Sequence, residues 1–164
     1  MKRCLFLLAA LLTLALPSTA LAGPEPLPDG LSQADLAYLK AMIPITRAAA
    51  DAASGIGETA TGIGDGSLTL SRGIARLRTH RAALQQAYDD WEHVQPSSRF
   101  ADTDALFGKS LETFLASTDL VIEGASYKDA AAVQRGAQGM LEANRYLQQW
   151  SAALTTALGP VRSA

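Results

Sequence analysis

The residues able to do chemistry are few and poorly spaced for it. Histidine occurs twice, at His80 and His93. Both fall on one predicted helix, on different turns, so the pair cannot chelate one ion. Asp90-x-x-His93 is half of a carboxylate-bridged di-iron motif, which needs Glu-x-x-His from two helices and two further glutamates. One copy at most stands here, and His93 reads instead as a polar residue in the last turn of its helix, where a cation suits the helix dipole. Haem in a bundle needs an attachment site or a facing Met/His pair. No Cys-x-x-Cys-His occurs, but Met42 and His93 fall near one end of the predicted helices, which leaves b-type haem as a minor reading. Met42 and Met140, both at core spacing, read first as core filler.

Phosphate chemistry has two false signals. Gly108-Lys109-Ser110 ends like a P-loop, but Thr103 holds the place of its first glycine and the segment reads as mid-helix. SGIGETATGIGDG, from Ser54 to Gly66, contains Gly-Ile-Gly twice. A dinucleotide turn needs a preceding strand and a third glycine, where this chain has a preceding helix and Ala60. Gly55 and Gly62, Ile56 and Ile63, and Gly57 and Gly64 instead repeat with a heptad spacing. That repeat predicts close helix packing or a soft helix end, with an early stop into a loop as the alternative. No Gly-x-Ser-x-Gly occurs. Asp89-Asp90 and Asp102-Asp104 sit at predicted helix ends and read as solvated termini. The expectation is therefore no catalytic residue, no metal, no cofactor and no enzyme.

The elements that would position any site are helices. Lys2 and Arg3 precede an apolar run from Leu5 to Leu16, then Pro17 and Ala20-Leu21-Ala22: a cleavable export signal over residues 1–22. The run is too short for the roughly 20 residues that span a bilayer. The only cysteine, Cys4, goes with the signal, so the mature chain from Gly23 has no thiol chemistry and no disulfide. It carries 12 basic and 16 acidic residues, net −4, which argues against nucleic acid as partner. A Pro/Gly-rich spacer over residues 23–30 leads into helices at about 32–63, 69–94, 99–123 and 127–158, all within one unit over 31–164.

Each helix carries an apolar seam of alternating three and four spacing: Leu31, Tyr38, Met42, Ile45, Ala49, Ala52, Ile56 and Ile63; Leu70 to Trp91; Phe107 to Val121; and Val133 to Leu158. Ser32 with Asp35 predicts a capping box, Ser97 or Ser98 a cap for the third helix, and Ser126 with Asp129 a capping box for the fourth. Pro44 lies inside the first seam and predicts a kink rather than a break. Short turns and heptad seams predict an all-α antiparallel up-down-up-down four-helix bundle with the first and fourth helices as neighbours. Arg81 and Asn144 interrupt their seams, Arg81 as a rim residue and Asn144 as a buried register residue.

Two candidate surfaces follow. Level counting at 1.5 Å per residue gathers Tyr38, Met42, Trp91, Phe100 and Trp150 at one end, as an aromatic plug or as a ligand or partner surface. Arg72, Arg76, Arg78 and Arg81 crowd the first half of the second helix. They read as tertiary ion pairs with Glu58, Asp65, Glu123 and Asp129, or as an anion patch. The expectation is an exported, non-enzymatic binding or protein-interaction module of the bacterial cell envelope, periplasmic or extracellular. Its partner is an unknown envelope protein or small ligand, a homodimer is compatible, and no membrane span lies in the mature chain. The alternative is a carrier or sensor of a small apolar ligand or b-type haem inside the bundle.

Overall fold

Ser32 opens the first helix as the sequence predicts. Its hydroxyl accepts from the Asp35 amide at 3.1 Å, and the Asp35 carboxylate accepts from the Ser32 amide at 2.8 Å, a complete capping box. The computed structural model describes residues 30–159; the expected export signal, Cys4 and residues 23–29 of the spacer lie outside that range. Four helices fill it: α1 (Gln33–Asp65), α2 (Leu70–Glu92), α3 (Ala101–Tyr127) and α4 (Ala130–Leu158). No strand occurs among the described residues, so the all-α class is the one observed. No helix among them is long and apolar enough to cross a membrane.

Consecutive helices lie against one another. Residue numbers in these contacts fall on one helix as they rise on the next. Ile63 covers Gly73 and His80 covers Gly55; Tyr88 meets Glu112 and Arg81 meets Asp119; Ser117 lies on Gly139 and Phe107 on Trp150. The backbones of α1 and α4, expected as neighbours, do not come close along their lengths. The reason lies in α4. Its buried residues are Ala132, Gly136, Met140 and Ala143; of the predicted seam running from Val133 to Leu158 only Met140 is buried, and the rest is half-buried or exposed. Small residues face α3 and let the two backbones approach, with Val133 against Gly124 and Trp150 against Phe107 near the two ends of the contact.

The core takes the first and third seams almost whole. Tyr38, Met42, Ile45, Ala49, Ala52 and Ile56 of α1 and Phe107, Leu111, Phe114, Thr118 and Val121 of α3 are all buried. From α2 only Leu77 and Leu84 of its seam are buried, with Gly73 and Ala87 beside them, and Leu70 is exposed. Asn144 is half-buried rather than a core residue, and Arg81 lies at the rim as expected.

α1 stays helical through the glycine-rich stretch to Asp65, as the close-packing reading expects, and stops at Gly66, whose φ of 82° is the left-handed conformation glycine favours. Three other helix ends differ from the sequence reading. α3 starts at Ala101 behind Phe100, with no side-chain cap, because Ser97 is spent elsewhere. It also runs past Gly124 to Tyr127; Lys128 closes it at φ 61°. Ser126 therefore caps nothing, its hydroxyl donating to Ile122 within α3, and Asp129 alone caps α4 by accepting from the amides of Ala131 and Ala132. Gly124 serves inside the helix for closeness, not as a cap: a Cβ there would stand 2.7 Å from the Val133 amide nitrogen. α1 passes Pro44 without a break, and Pro44 is exposed.

Gly136 gives a direct test of the small-residue seam. A Cβ on it would stand 2.7 Å from the Ser117 carbonyl oxygen and 3.0 Å from the Val121 amide nitrogen, both backbone atoms that cannot swing aside. Alanine would gain about 1 kcal/mol in helix propensity, but overpacking costs about 1–3 kcal/mol. Gly136→Ala is expected to lower the stability measured by urea unfolding, whereas glycine to alanine at an open helix position raises it.

Candidate functional site

The aromatic end is built around a buried carboxylate. Asp104 lies in the first turn of α3, 7% exposed. One of its oxygens, Oδ1, accepts from the Tyr38 hydroxyl of α1 at 2.9 Å and from the Trp91 indole N–H of α2 at 3.0 Å. Three helices are thus tied at one atom. Burial pushes the Asp104 carboxyl above its ordinary value, and the two hydrogen bonds oppose the shift. Burial, then the Asp104 charge, drives the Tyr38 hydroxyl far up, so it stays a donor. The α3 N-terminus favours negative charge there.

Packing holds the three donors and acceptors in place. Phe100, completely buried, stacks on Tyr38 with ring centroids 5.1 Å apart and planes 19° apart. The Trp91 ring lies directly over Gly108, where any side chain would collide with it. Tyr88 packs beside Trp91 at 5.5 Å and donates to Glu112 at 3.1 Å; burial and that carboxylate push its hydroxyl up to about 12. A second carboxylate braces the outer edge of this end. Asp35 accepts from the Ser97 hydroxyl in a short bond and from the Ser32 amide, with Arg99 3.9 Å away. The Ser97 hydrogen bond, then the Ser32 amide, hold the Asp35 carboxyl below its usual value.

Of the five residues in the candidate ligand or partner surface, Tyr38, Met42 and Phe100 are buried, so they form no surface. Trp91 and Trp150 are half-buried. Trp150 reaches the same level through Phe107, centroids 5.1 Å apart. Its indole Nε1 is the one fully buried side-chain nitrogen or oxygen without a hydrogen-bond partner among the described residues. Met42 and His93 have unlike settings: Met42 is core, while His93 is exposed past the end of α2 with Nδ1 2.6 Å from the Asp89 carbonyl oxygen. Among the described residues no group of three or more His, Cys, Asp or Glu is placed to hold a metal ion.

The arginines do not form one patch. At about 100° per residue, Arg72 and Arg76 flank one side of the buried stripe of α2, and Arg78 and Arg81 lie round the other. Arg81 is engaged, its Nε and Nη2 each 3.0 Å from one oxygen of Asp119 and its Nη1 3.0 Å from Gln85. The expected partners Glu58, Asp65, Glu123 and Asp129 are not used. Among the described residues the ion pairs are Arg81–Asp119 and Arg99–Asp35. Asp65 instead accepts from the Ser67 amide at 2.9 Å, which lowers its carboxyl from the ordinary range.

Asp104 and Ser97 take other roles than the sequence suggests: Ser97 donates to Asp35 instead of capping α3, and Asp104 is buried. Its place beside Asp102 at a helix start suggests a solvated terminus, yet the α3 seam extends back through it: 104, 107, 111, 114, 118 and 121 keep the three-four alternation. A carboxylate on that line is a buried carboxylate. The assembly as a whole is a polar latch, with hydroxyl and indole donors spent on two carboxylates. No protein-family model matches this chain, and neither a characterised protein nor a solved structure matches it.

Proposed function

We propose that this chain is an exported, non-enzymatic up-down-up-down four-helix bundle that acts as a protein-interaction module in the bacterial cell envelope, periplasmic or extracellular. The observation that carries the reading is the polar latch. Asp104, Tyr38, Trp91, Asp35 and Ser97 satisfy one another inside the fold, so the one place where reactive side chains converge is committed to holding helices together. Function then falls to the outer faces. The reversed residue pairing between consecutive helices supports the bundle topology, and the signal-like residues 1–22 support export.

Two measurements test it. Intact mass of exported material is expected to begin at Gly23; a chain that retains Cys4 removes the export reading. Site-specific photo-crosslinkers on exposed Ser151, Thr155, Arg76 and Glu58 in the native cell are expected to give a discrete protein adduct from at least one face. A scan without protein adducts ends the interaction reading.

The orphan Trp150 indole favours one second reading, a carrier of a small apolar ligand with a hydrogen-bond acceptor. Native mass spectrometry of the purified protein separates the two. A stoichiometric bound mass that Trp150→Phe abolishes would establish the carrier, and a bare polypeptide mass supports the interaction module.

A further inference from the structure

The charges of α2 run against its own dipole. Its first half carries Arg72, Arg76, Arg78 and Arg81, and its last turns carry Asp89, Asp90 and Glu92, whereas a helix favours acids at its start and cations at its end. The chain does not compensate from within. Among the described residues Arg81 alone of these seven has an ion-pair partner, Asp119, and Arg72, Arg76 and Arg78 are exposed. At the other end Asp89 and Asp90 accept from the neutral amides of Gln85 and Gln86, at 2.7 and 2.9 Å.

These charges also line the edges of one open face. α2 buries Gly73, Leu77, Leu84 and Ala87, with α1 on one side through Gly73 and His80 and α3 on the other through Arg81 and Tyr88. The helical step of about 100° puts Ala75, Thr79, Ala82 and Gln86, all exposed, on the outer face between them. Arg72 and Asp90 stand 18 residues apart, five full turns, so they share the α1-side edge of that face, with Arg76 about 40° from them. Arg78 and Asp89 share the other edge to within about 20°. Between the edges the side chains are short, and Thr79 spends its hydroxyl on the Ala75 carbonyl oxygen at 3.3 Å.

We infer that this outer face of α2 docks the same face of a second copy of the chain, the two helices antiparallel about a twofold axis beside Ala82. The inference rests on the interaction-module reading and names its partner. A twofold interface sets a patch against itself. With the helices antiparallel, a residue some steps after Ala82 meets, on the same edge, the residue as many steps before it. Asp90, eight residues after Ala82, falls level with position 74 of the second copy, between Arg72 and Arg76. On the other edge Asp89 falls within a turn of Arg78, about 4.5 Å along the axis, which an arginine side chain spans. Each carboxylate thus meets arginine, and the symmetry repeats every pairing. A parallel pair would set arginine on arginine. A polyanion, an anionic membrane or an acidic protein would suit the arginines and be repelled by Asp89 and Asp90, so a second copy is the occupant that uses both halves of the face. Exposed ion pairs are individually weak, and one helix pair buries less than the roughly 1,600 Å² of a standard interface. The dimer is therefore concentration-dependent and sensitive to salt.

Sedimentation of the mature chain over a wide concentration series tests this. At low salt the expected result is a reversible rise from monomer to dimer mass, weakened about tenfold or more when salt is raised to about 1 M. Asp90→Arg gathers three arginines at each α1-side pairing, and the double variant Arg72→Glu/Arg76→Glu gathers three carboxylates there. Each is expected to sediment as a monomer at concentrations where the parent is dimeric. Both changes bring α2 closer to the charge order its dipole favours, so helicity by circular dichroism is expected to be kept, and a lost dimer is read against an intact fold. An equal mixture of the two variants is expected to recover the dimer, since reversed charges then meet at one pairing and the original ones at the other. A monomer at every concentration in low salt overturns the inference. So does a dimer that neither variant weakens, or a mixture that stays monomeric. Crosslinking of a different protein from position 76 of a strictly monomeric chain would discard the second copy and leave the interaction module standing.

Discussion

Phe100→Ala is expected to cost about 3–5 kcal/mol, the range for removing a fully buried phenylalanine. The residue is completely buried and stacks on Tyr38. It is also the residue at which the α2–α3 connection becomes helix, with the Asp104 amide bonded to its carbonyl oxygen at 2.7 Å. The loss therefore includes more than ring contacts, because an alanine leaves Tyr38 free to leave the orientation from which it reaches Asp104. Urea unfolding followed by circular dichroism gives the magnitude. Trp91 fluorescence, sensitive to the indole bond with Asp104, is expected to change in the folded baseline as well. A loss under about 1 kcal/mol would mean that the aromatic end contributes little to holding the helices together.

Asp104→Leu and Asp104→Asn are expected to diverge. Leucine leaves the Tyr38 hydroxyl and the Trp91 indole without an acceptor, at about 1–3 kcal/mol for each orphaned donor. Relief of the buried charge offsets part of that, for a net loss of about 2–4 kcal/mol. Asparagine keeps an oxygen for both donors and removes the charge, so its effect near neutral pH is expected to lie within about 1 kcal/mol of the parent. The pH dependence tells the two contributions apart. Because burial raises the folded carboxyl above its ordinary 3.8, Asp104 stabilises most where it is protonated in both states, below 3.8, and that contribution is lost as pH rises through the raised value. Asp35 and Asp65 are shifted down; theirs is present above 3.8 and lost as pH falls through the depressed values. The parent's stability relative to Asp104→Asn is thus expected to fall between pH 3.8 and neutrality and to be level above that window. A difference that is constant with pH would show that the carboxyl is no less comfortable in the fold than in the unfolded chain.

The seams that could be read from the sequence were those on which large side chains do the packing. α1 and α3 bury nearly all the residues that three-four spacing selects, because Tyr38, Ile56, Phe107 and Phe114 have the volume to fill a core. α4 misled for the opposite reason. Its core face is Ala132, Gly136, Met140 and Ala143; only Met140 gives a clear hydropathic signal, and the value of the others is the space they leave for α3. The gathering of the aromatic side chains at one end followed from helix length and rise alone. What they gather around did not, since a carboxylate in a first turn suits both solvent and the helix dipole, and only its place on the α3 seam separates Asp104 from Asp102. The arginine cluster was legible as composition, but its dispersal round α2 depends on which stripe that helix buries, and Gly73 and Ala87 hide that stripe behind Leu70 and Tyr88.

The two-residue link between α3 and α4 has a consequence for how the chain acquires its structure. With Lys128 and Asp129 alone between the helices, and Gly124 and Gly136 letting the backbones touch, this hairpin makes many of its contacts between residues close in sequence. Closing so short a loop is entropically cheap, and local contacts form fast. The α1–α2 hairpin, with Gly66 at its turn, has the same character. The eight residues 93–100, by contrast, must be laid down before Asp104 can meet Tyr38 and Trp91. The Tyr38–Asp104 contact, 66 residues apart in sequence, is therefore the long-range step between the two hairpins, and amides around Asp104 are expected to exchange their hydrogens before those in the interior of the α3–α4 hairpin.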